Sequence, residues 1–359
     1  VDFSLTETQS AVRGVVSDVL DRDADTDSGG WKALAGAGLL GLAVPERHGG
    51  EGLGLDEVAV LLHEAGRRAN GLPIWETLAC GALTIATCGT EQQQADLLPE
   101  VVTGESVLTA ALVETGVGIP AAPRTTLRRD GSRLLLSGRK LGVSHASAAD
   151  RILVSATMAE SGSVGVVLLD PAAPGVTMTA TPASRGDGEA TVAFDDVEVS
   201  EDDIVGGPEA EGCGDTLRRL AVAGSCLFGD GLVAGTRDLT AGYVSGRHQF
   251  GKPLAQFQAV AQQMADVYVA SRTIGLSATS AAWRLGAGLD ADDDLAVAAY
   301  WFTSEGPPAL HICHHLHGGM GVDVSYPLHT YYSWVRDIAR RLGGTQLTLD
   351  AVADRQVGA

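Results

Sequence analysis

Residues 246–258 read GRHQFGKPLAQFQ, and residues 315–321 read HLHGGMG. The first stretch carries a permanently charged, planar guanidinium at Arg247, followed by a polar Gln249 and an aromatic Phe250. Gly251 and Pro253 interrupt the chain before a new apolar period begins near Gln256. The second stretch sets three glycines, Gly318, Gly319 and Gly321, directly behind a long helical pattern. Without Cβ atoms, such a backbone can come unusually close to whatever lies against it.

Working outward, both stretches fall in a region that repeats apolar residues at helical spacing. Thr216 to Val244, Gln256 to Leu285, Asp292 to Leu316 and Leu328 to Asp354 are four long helical candidates with short connections, a pattern that predicts a bundle over 206–359. Asp292, Asp293 and Asp294 suit the N-terminal turn of the third, where negative charge complements the helix dipole. The Gly206–Gly207–Pro208 break precedes the bundle.

Upstream, residues 107–205 change texture. VLTAALV (107–113), RILVSAT, VGVVLLD and ATVAFDDVEV are short runs rich in Val, Ile and Leu, and the Asp130–Gly131 pair between alternating residues predicts a hairpin. This reads as a compact β domain, a barrel or sandwich. Residues 1–106 return to helical spacing. Thr6 and Gln9 form a capping box opening a helix through Val19, and Trp31–Leu42, Leu55–Ala69, Trp75–Cys88 and Glu91–Val102 follow. The expected class is α+β, in the order helical domain, β domain, helical bundle.

Composition narrows the partners. The 359 residues carry 25 basic and 45 acidic side chains, a formal charge of −20. So acidic a chain repels phosphate backbones and anionic membranes, which argues against nucleic-acid and membrane binding. An anionic substrate would need a locally basic patch. The five cysteines, Cys80, Cys88, Cys213, Cys226 and Cys313, are scattered and odd in number, which points to a reducing cytosol and not to a disulfide framework or zinc site. The start, VDFSLTETQS, lacks the pattern of a secretory signal, and no apolar run reaches the length of a membrane span. A cytoplasmic location is expected.

The two opening stretches resemble motifs of the acyl-CoA dehydrogenases: the arginine-anchored flavin clamp R-x-x-F-G-x-P-x-x-x-x-Q and the Q-x-x-G-G-x-G loop. LTETQSAV, AVPERHGG (43–50), GTEQQQADLLPEVVTGE (89–105) and FDDVEV (194–199) look like further family landmarks in the right order. The resemblance implies the acyl-CoA dehydrogenase fold: an N-terminal helical domain, a middle β-barrel domain and a C-terminal four-helix bundle. It also implies FAD, an acyl-CoA thioester substrate, and α,β-desaturation in which a carboxylate takes the α-proton. In that family the clamp and the glycine loop reach into a neighbouring subunit's cofactor. Arg247 would then meet the pyrophosphate, Gln249 and Phe250 the adenine or ring system, and Gly318, Gly319 and Gly321 the adenosine end. The family's loop glutamine falls on His315.

The rest of the family site is eroded. The flavin loop aligns with ALVETGVGI (111–119), where Val113 and Ile119 stand at positions that normally supply hydroxyls. In GRKLGVS (138–144) the flavin-covering tryptophan is replaced by Gly142, while Ser144 keeps the hydroxyl that meets N5. No catalytic base is identified: its two family positions fall on Leu342 or Gly343 and within Leu217–Phe228, where there is no carboxylate.

The resemblance therefore implies a subunit of a heteromeric dehydrogenase, similar to the base-lacking subunit of actinobacterial α2β2 steroid side-chain enzymes. It would share FAD across the interface with a homologous catalytic partner that binds most of the acyl-CoA. Two other readings stay open: an independent homotetramer using Asp215 or Asp230 as base, and a flavin-free scaffold or regulator. His311 and His315 could share one helical face, but no acidic third ligand lies nearby and a metal site is not expected.

Overall fold

The computed structural model describes residues 3–22, 27–183 and 188–357. The outer limits of the terminal regions, Val1 and Ala359, and residues 184–187 of the β region lie outside them. Contacts group the chain into two units: Val1–Phe3, Leu62–Asn70 and Ser225–Ala359 in one, Ser4–Leu61 and Gly71–Gly224 in the other.

The second of these begins with α1 (Glu7–Arg22), opened by the expected capping box: the Gln9 amide donates to Thr6 Oγ1 at 3.1 Å and the Thr6 amide to Gln9 Oε1 at 3.0 Å. α2 (Asp27–Gly36) stops short of the predicted Leu42, because Gly38 turns left-handed and the chain continues as a 3₁₀ turn, Leu39–Gly41. After α3 (Leu55–Arg67), Trp75–Ala82 is a wholly buried π-helical segment, which tightens into α4 (Leu83–Cys88). Wide helical turns of this kind recur at functional sites. Within it Glu76 Oε1 is buried with no hydrogen-bond partner among the described residues. α5 (Glu91–Thr103) carries a complete Thr90–Gln93 capping box.

The sheet follows: β1 (Leu108–Ala111), β2 (Thr126–Asp130), β3 (Arg133–Ser144), β4 (Arg151–Met158), β5 (Val164–Leu169), β6 (Val176–Thr181) and β7 (Glu189–Val199). The predicted hairpin joins β2 to β3, with Asp130 paired to Arg133 around a Gly131–Ser132 turn. Strand order is β1-β4-β2-β3-β7-β6, with β5 on β4. The sheet is mixed, since β4 runs parallel to both β1 and β2 while the other pairs are antiparallel. Its core joins Leu127, Leu136, Ile152, Val154, Val167 and Val192, all essentially buried.

The other unit is helical. It takes the end of α3, most of α6 (Cys213–Gly246), α7 (Gln258–Gly286), α8 (Asp292–His317), α9 (Leu328–Arg341) and α10 (Gly344–Val357). The predicted helix Leu328–Asp354 is two helices. Gly343 and Gly344 adopt φ of 99° and 78°, which breaks it. At the start of α8, Asp292 and Asp293 pair with Arg355 of α10, and Asp294 with Arg284 of α7. The end of α3 lies on α6 at near backbone contact. A Cβ at Gly66 would strike the Phe228 carbonyl, one at Gly231 the His63 carbonyl, and one at Gly235 the Arg67 carbonyl.

Candidate functional site

At the end of α6 the chain makes a minimal hairpin. β8 (His248–Gln249) pairs antiparallel with β9 (Lys252–Pro253), and the two turn residues, Phe250 and Gly251, have φ of 51° and 82°. A two-residue turn with both residues at positive φ matches the twist of the flanking strands. Phenylalanine is a poor choice for it on backbone grounds, and such strain is kept where a side chain is needed in place. Phe250 is indeed 92% exposed, its ring meeting Phe257 edge-on with centroids 6.2 Å apart. Arg247 and Gln249 are exposed beside it, and among the described residues Arg247 has no ion-pair partner.

The glycine loop follows α8 as a short 3₁₀ turn, Gly318–Val322. Gly318 has φ 55° and ψ −129°, a conformation open essentially to glycine alone. Gly321 packs against the His314 carbonyl, where a Cβ would sit at 3.0 Å, so this glycine serves close packing within the chain. Around Gly318 and Gly319 there is open space, and Met320, Val322 and Val324 are exposed apolar neighbours. His315 is exposed on the last turn of α8.

Tyr243, which neither motif includes, joins these two pieces through His317. Tyr243, one helical turn before Arg247, accepts the Arg247 amide at its carbonyl (2.9 Å). Its ring stacks on His317 with centroids 4.4 Å apart, and its hydroxyl donates to the His317 carbonyl at 3.3 Å. His317 is 2% exposed; its Nδ1 donates to the Cys313 carbonyl at 2.8 Å, leaving Nε2 to accept from the Tyr326 hydroxyl at 3.0 Å. Burial pushes the imidazole pKa down, in keeping with this neutral tautomer. Spacing alone could have flagged Tyr243 as the residue one turn before the clamp. Its stacking on His317 is a tertiary fact.

Arg247, Gln249, Phe250 and the Gly318–Gly321 loop are thus brought together on one unit. They offer a guanidinium with no ion-pair partner among the described residues, an exposed aromatic ring and an open glycine backbone. That surface fits an anionic, ring-bearing ligand approaching from outside the chain.

Ser144 belongs to the sheet unit. It ends β3 just past a register shift between Lys140 and Val143, where Gly142 has φ 58°. Such a bulge re-aims the residues that follow it. Ser144 is buried and its carbonyl accepts from Thr109 Oγ1 at 2.7 Å, while the next residue, His145, has φ 56° and a buried Nε2 with no hydrogen-bond partner among the described residues. The 111–119 loop closes on itself, with the Glu114 amide donating to the Gly118 carbonyl at 3.0 Å, so that amide is already engaged. Val113 is buried and Ile119 half-buried. Of the two carboxylates considered as a base, Asp215 is exposed beside Arg218, and Asp230 is hydrogen-bonded to His63 at 2.8 Å. Asp230 lines a cavity to which neither the clamp nor the glycine loop contributes.

Comparison with known proteins agrees with this architecture. Residues 6–105 match the acyl-CoA dehydrogenase N-terminal domain and residues 216–356 the acyl-CoA dehydrogenase C-terminal domain. Acyl-CoA dehydrogenase FadE28 of Mycobacterium tuberculosis is 46% identical over 355 residues, 99% of each chain. Among solved structures, a chain of the Tcur3481-Tcur3483 steroid ACAD G363A variant superposes with a TM-score of 0.90 at 36% identity, covering 98% of both chains. A chain of the ChsE4-ChsE5 complex from Mycobacterium tuberculosis gives 0.92 at 28% identity over 100% of both. With both domain matches and a near-full-length relative at this identity, the chain belongs to the acyl-CoA dehydrogenase family.

Proposed function

We propose that this chain is one subunit of a heteromeric, FAD-dependent acyl-CoA dehydrogenase of the cytoplasm, and that its clamp and glycine loop complete the FAD site of a homologous catalytic partner. The observation that carries this reading is the Arg247–Phe250 hairpin. Among the described residues Arg247 has no ion-pair partner and the Phe250 ring meets only the edge of Phe257, yet Tyr243 and His317 tie them to the open glycine loop. Arg247 would hold the pyrophosphate, and Gln249, Phe250, His315, Gly318, Gly319 and Gly321 the adenosine end.

When bound, FAD supplies the hydride acceptor for α,β-desaturation. The chain's own side of a flavin site is poorly furnished, with Val113 and Ile119 at hydroxyl positions and only Ser144 retained. The family base positions, Leu342 or Gly343 and Leu217–Phe228, hold no carboxylate. A missing general base removes about 10²–10⁴-fold in rate, so activity falls to the partner. The similar solved chains come from a ChsE4-ChsE5 complex and a Tcur3481-Tcur3483 pairing, which supports an α2β2 assembly and a steroid side-chain CoA thioester as substrate class.

The test is flavin stoichiometry. The chain is expressed alone and with the homologous dehydrogenase encoded beside it, and FAD is counted per protomer. About one FAD per two chains, with desaturation only in the complex, is expected. Arg247→Ala should then release FAD from the complex. One FAD per protomer in the lone chain, bleached by an acyl-CoA, would overturn the proposal, and no flavin even with the partner would favour a scaffold.

A further inference from the structure

The helical unit contains a second polar site. A cavity of about 310 Å³ opens beside the end of α3, α6 and α7, and no residue assigned to the cofactor lines it. Arg67, Arg237 and Arg272 line it together with His63, against two carboxylates, Asp230 and Asp238. In a chain of charge −20, three guanidiniums around one cavity run against the overall balance. The glycine contacts described above create this arrangement: α3 approaches α6 closely enough for His63 to reach Asp230 and for Arg67 to reach Asp238.

Both carboxylates are already engaged. Asp238 accepts from Arg67 at 2.8 Å and from Arg237 at 2.8 and 3.0 Å, and Asp230 takes His63 Nδ1 at 2.8 Å. Gly275 leaves room for the Asp230 carboxylate, since a Cβ there would lie 2.8 Å from Oδ1. What remains unengaged is positive. Arg272 has no partner among the described residues, and Nε2 of His63 carries no hydrogen bond there. Phe3, Ala234 and Leu276 supply an apolar wall.

We propose that this cavity binds a phosphate group, free or carried on a small molecule, with Arg272 and His63 Nε2 as its principal donors and Arg67 as flanking charge. A guanidinium presents several N–H donors in a fixed fork, and a phosphate dianion has the acceptors to meet both it and an imidazolium. The Asp230 contact favours the doubly protonated imidazole: burial pulls the His63 pKa down, but the hydrogen bond and charge of Asp230 more than offset this. The volume exceeds what inorganic phosphate fills and falls at the lower end of small-molecule pockets. The phosphate could arrive free or on coenzyme A, and the experiment separates these sources.

The full-length chain, in its purified assembly, is titrated with inorganic phosphate, with acetate and with coenzyme A. Binding is read by calorimetry and by the ring resonances of ¹⁵N-labelled histidines. Saturable phosphate binding that moves the His63 signal is expected, with acetate leaving it in place. Arg272→Gln and His63→Gln should each weaken binding at least tenfold, and Arg151→Gln should not change it. Arg272 is exposed, so its variant tests the idea even if His63→Gln disturbs folding. Coenzyme A binding more tightly than phosphate, with the same loss in Arg272→Gln, would identify the coenzyme as carrier; a response to phosphate alone would identify the free anion. Non-saturable binding, or binding unchanged in Arg272→Gln, would overturn the proposal, as would an equal response to acetate.

Discussion

Lys140 Nζ lies 2.9 Å from Glu114 Oε1 in the interior of the sheet unit, the lysine side chain 0% and the glutamate 3% exposed. Glu114 also takes the amides of Arg124 (2.7 Å) and Thr125 (3.0 Å) and the Thr125 hydroxyl (2.8 Å), while Lys140 donates to Ser155 Oγ at 3.1 Å. The pair pins the 111–119 loop to β3, the strand that ends in Ser144. Burial alone would raise the Glu114 pKa, but Lys140 and the two amides outweigh it and hold the carboxyl down at about 2.

Removing one partner of this pair should be severe. Lys140→Met leaves a buried carboxylate uncompensated, and a cost of about 3–5 kcal/mol is expected. Adding Glu114→Gln to it should recover part of the loss, measured by urea denaturation. Because the Glu114 pKa is lowered on folding, its contribution is fully present above the usual carboxylate range and fades as pH falls toward about 2. Equal losses in the single and double variants would show that the charge pair is not what matters.

Phe250 holds a left-handed backbone that asparagine adopts more readily. Phe250→Asn should leave the chain as stable or up to about 1 kcal/mol more stable in thermal melts. The same change should lower FAD retention in the complex. A clear drop in stability would mean that the ring has a structural role within its own chain.

Gly231 faces the His63 carbonyl across the α3–α6 crossing. Helix propensity favours alanine by about 1 kcal/mol. Even so, Gly231→Ala should destabilise by about 1–3 kcal/mol or more, because backbone stands where the methyl would go. Gly242→Ala, with nothing within 4 Å, is the control and should be neutral or stabilising.

Cys88 should react first among the five thiols. The Cys213 side chain hydrogen-bonds it and lowers its pKa to about 7 against the opposing effect of burial, with Thr216 assisting. Burial pushes Cys226 up to about 12 and Cys313 up to about 11. Brief alkylation with iodoacetamide at pH 7.5, followed by peptide mass spectrometry, should label Cys88 in excess. Preferential labelling of any other cysteine would contradict this.

The His63–Asp230 pair predicts a pH effect of opposite sign to that of Glu114. Burial, Asp230 from α6, and Glu64 and Arg67 from its own helix act on His63, and Arg237 and Arg272 line the same cavity. Its pKa is raised on folding, so its contribution is complete below the unfolded value of 6.5 and is lost as pH rises through the folded value. The Tm difference between the wild type and Asp230→Asn should therefore be larger at pH 5.5 than at pH 8.5. A difference that is constant with pH would remove the titration from the account.

Much of the architecture was legible in sequence because its signals are local. The Thr6–Gln9 cap, the β2–β3 hairpin and the starts of α3 and α8 each depend on residues a few positions apart. The parallel β1–β4 and β2–β4 pairings were not legible, since no short-range pattern specifies a partner more than thirty residues away in a mixed sheet. The Gly343–Gly344 break was visible as two glycines, but their left-handed geometry is set by the helices they separate. At the site, Arg247, Phe250 and the glycines could be found by motif. The stacking of Tyr243 on His317 and the hydrogen bond from Tyr326 to His317 could not, because each joins residues whose meeting only the tertiary fold decides.

Those three residues have a kinetic consequence. Since the stack fixes the hairpin and the glycine loop to one another before any ligand arrives, the conformational entropy of bringing them together is met during folding, not at encounter. On the proposed cofactor reading, the two segments, about seventy residues apart in the chain, would engage together. A lesion in the Tyr243–His317 stack should therefore appear first as slower capture of the ligand, with the contacts themselves intact once it is seated.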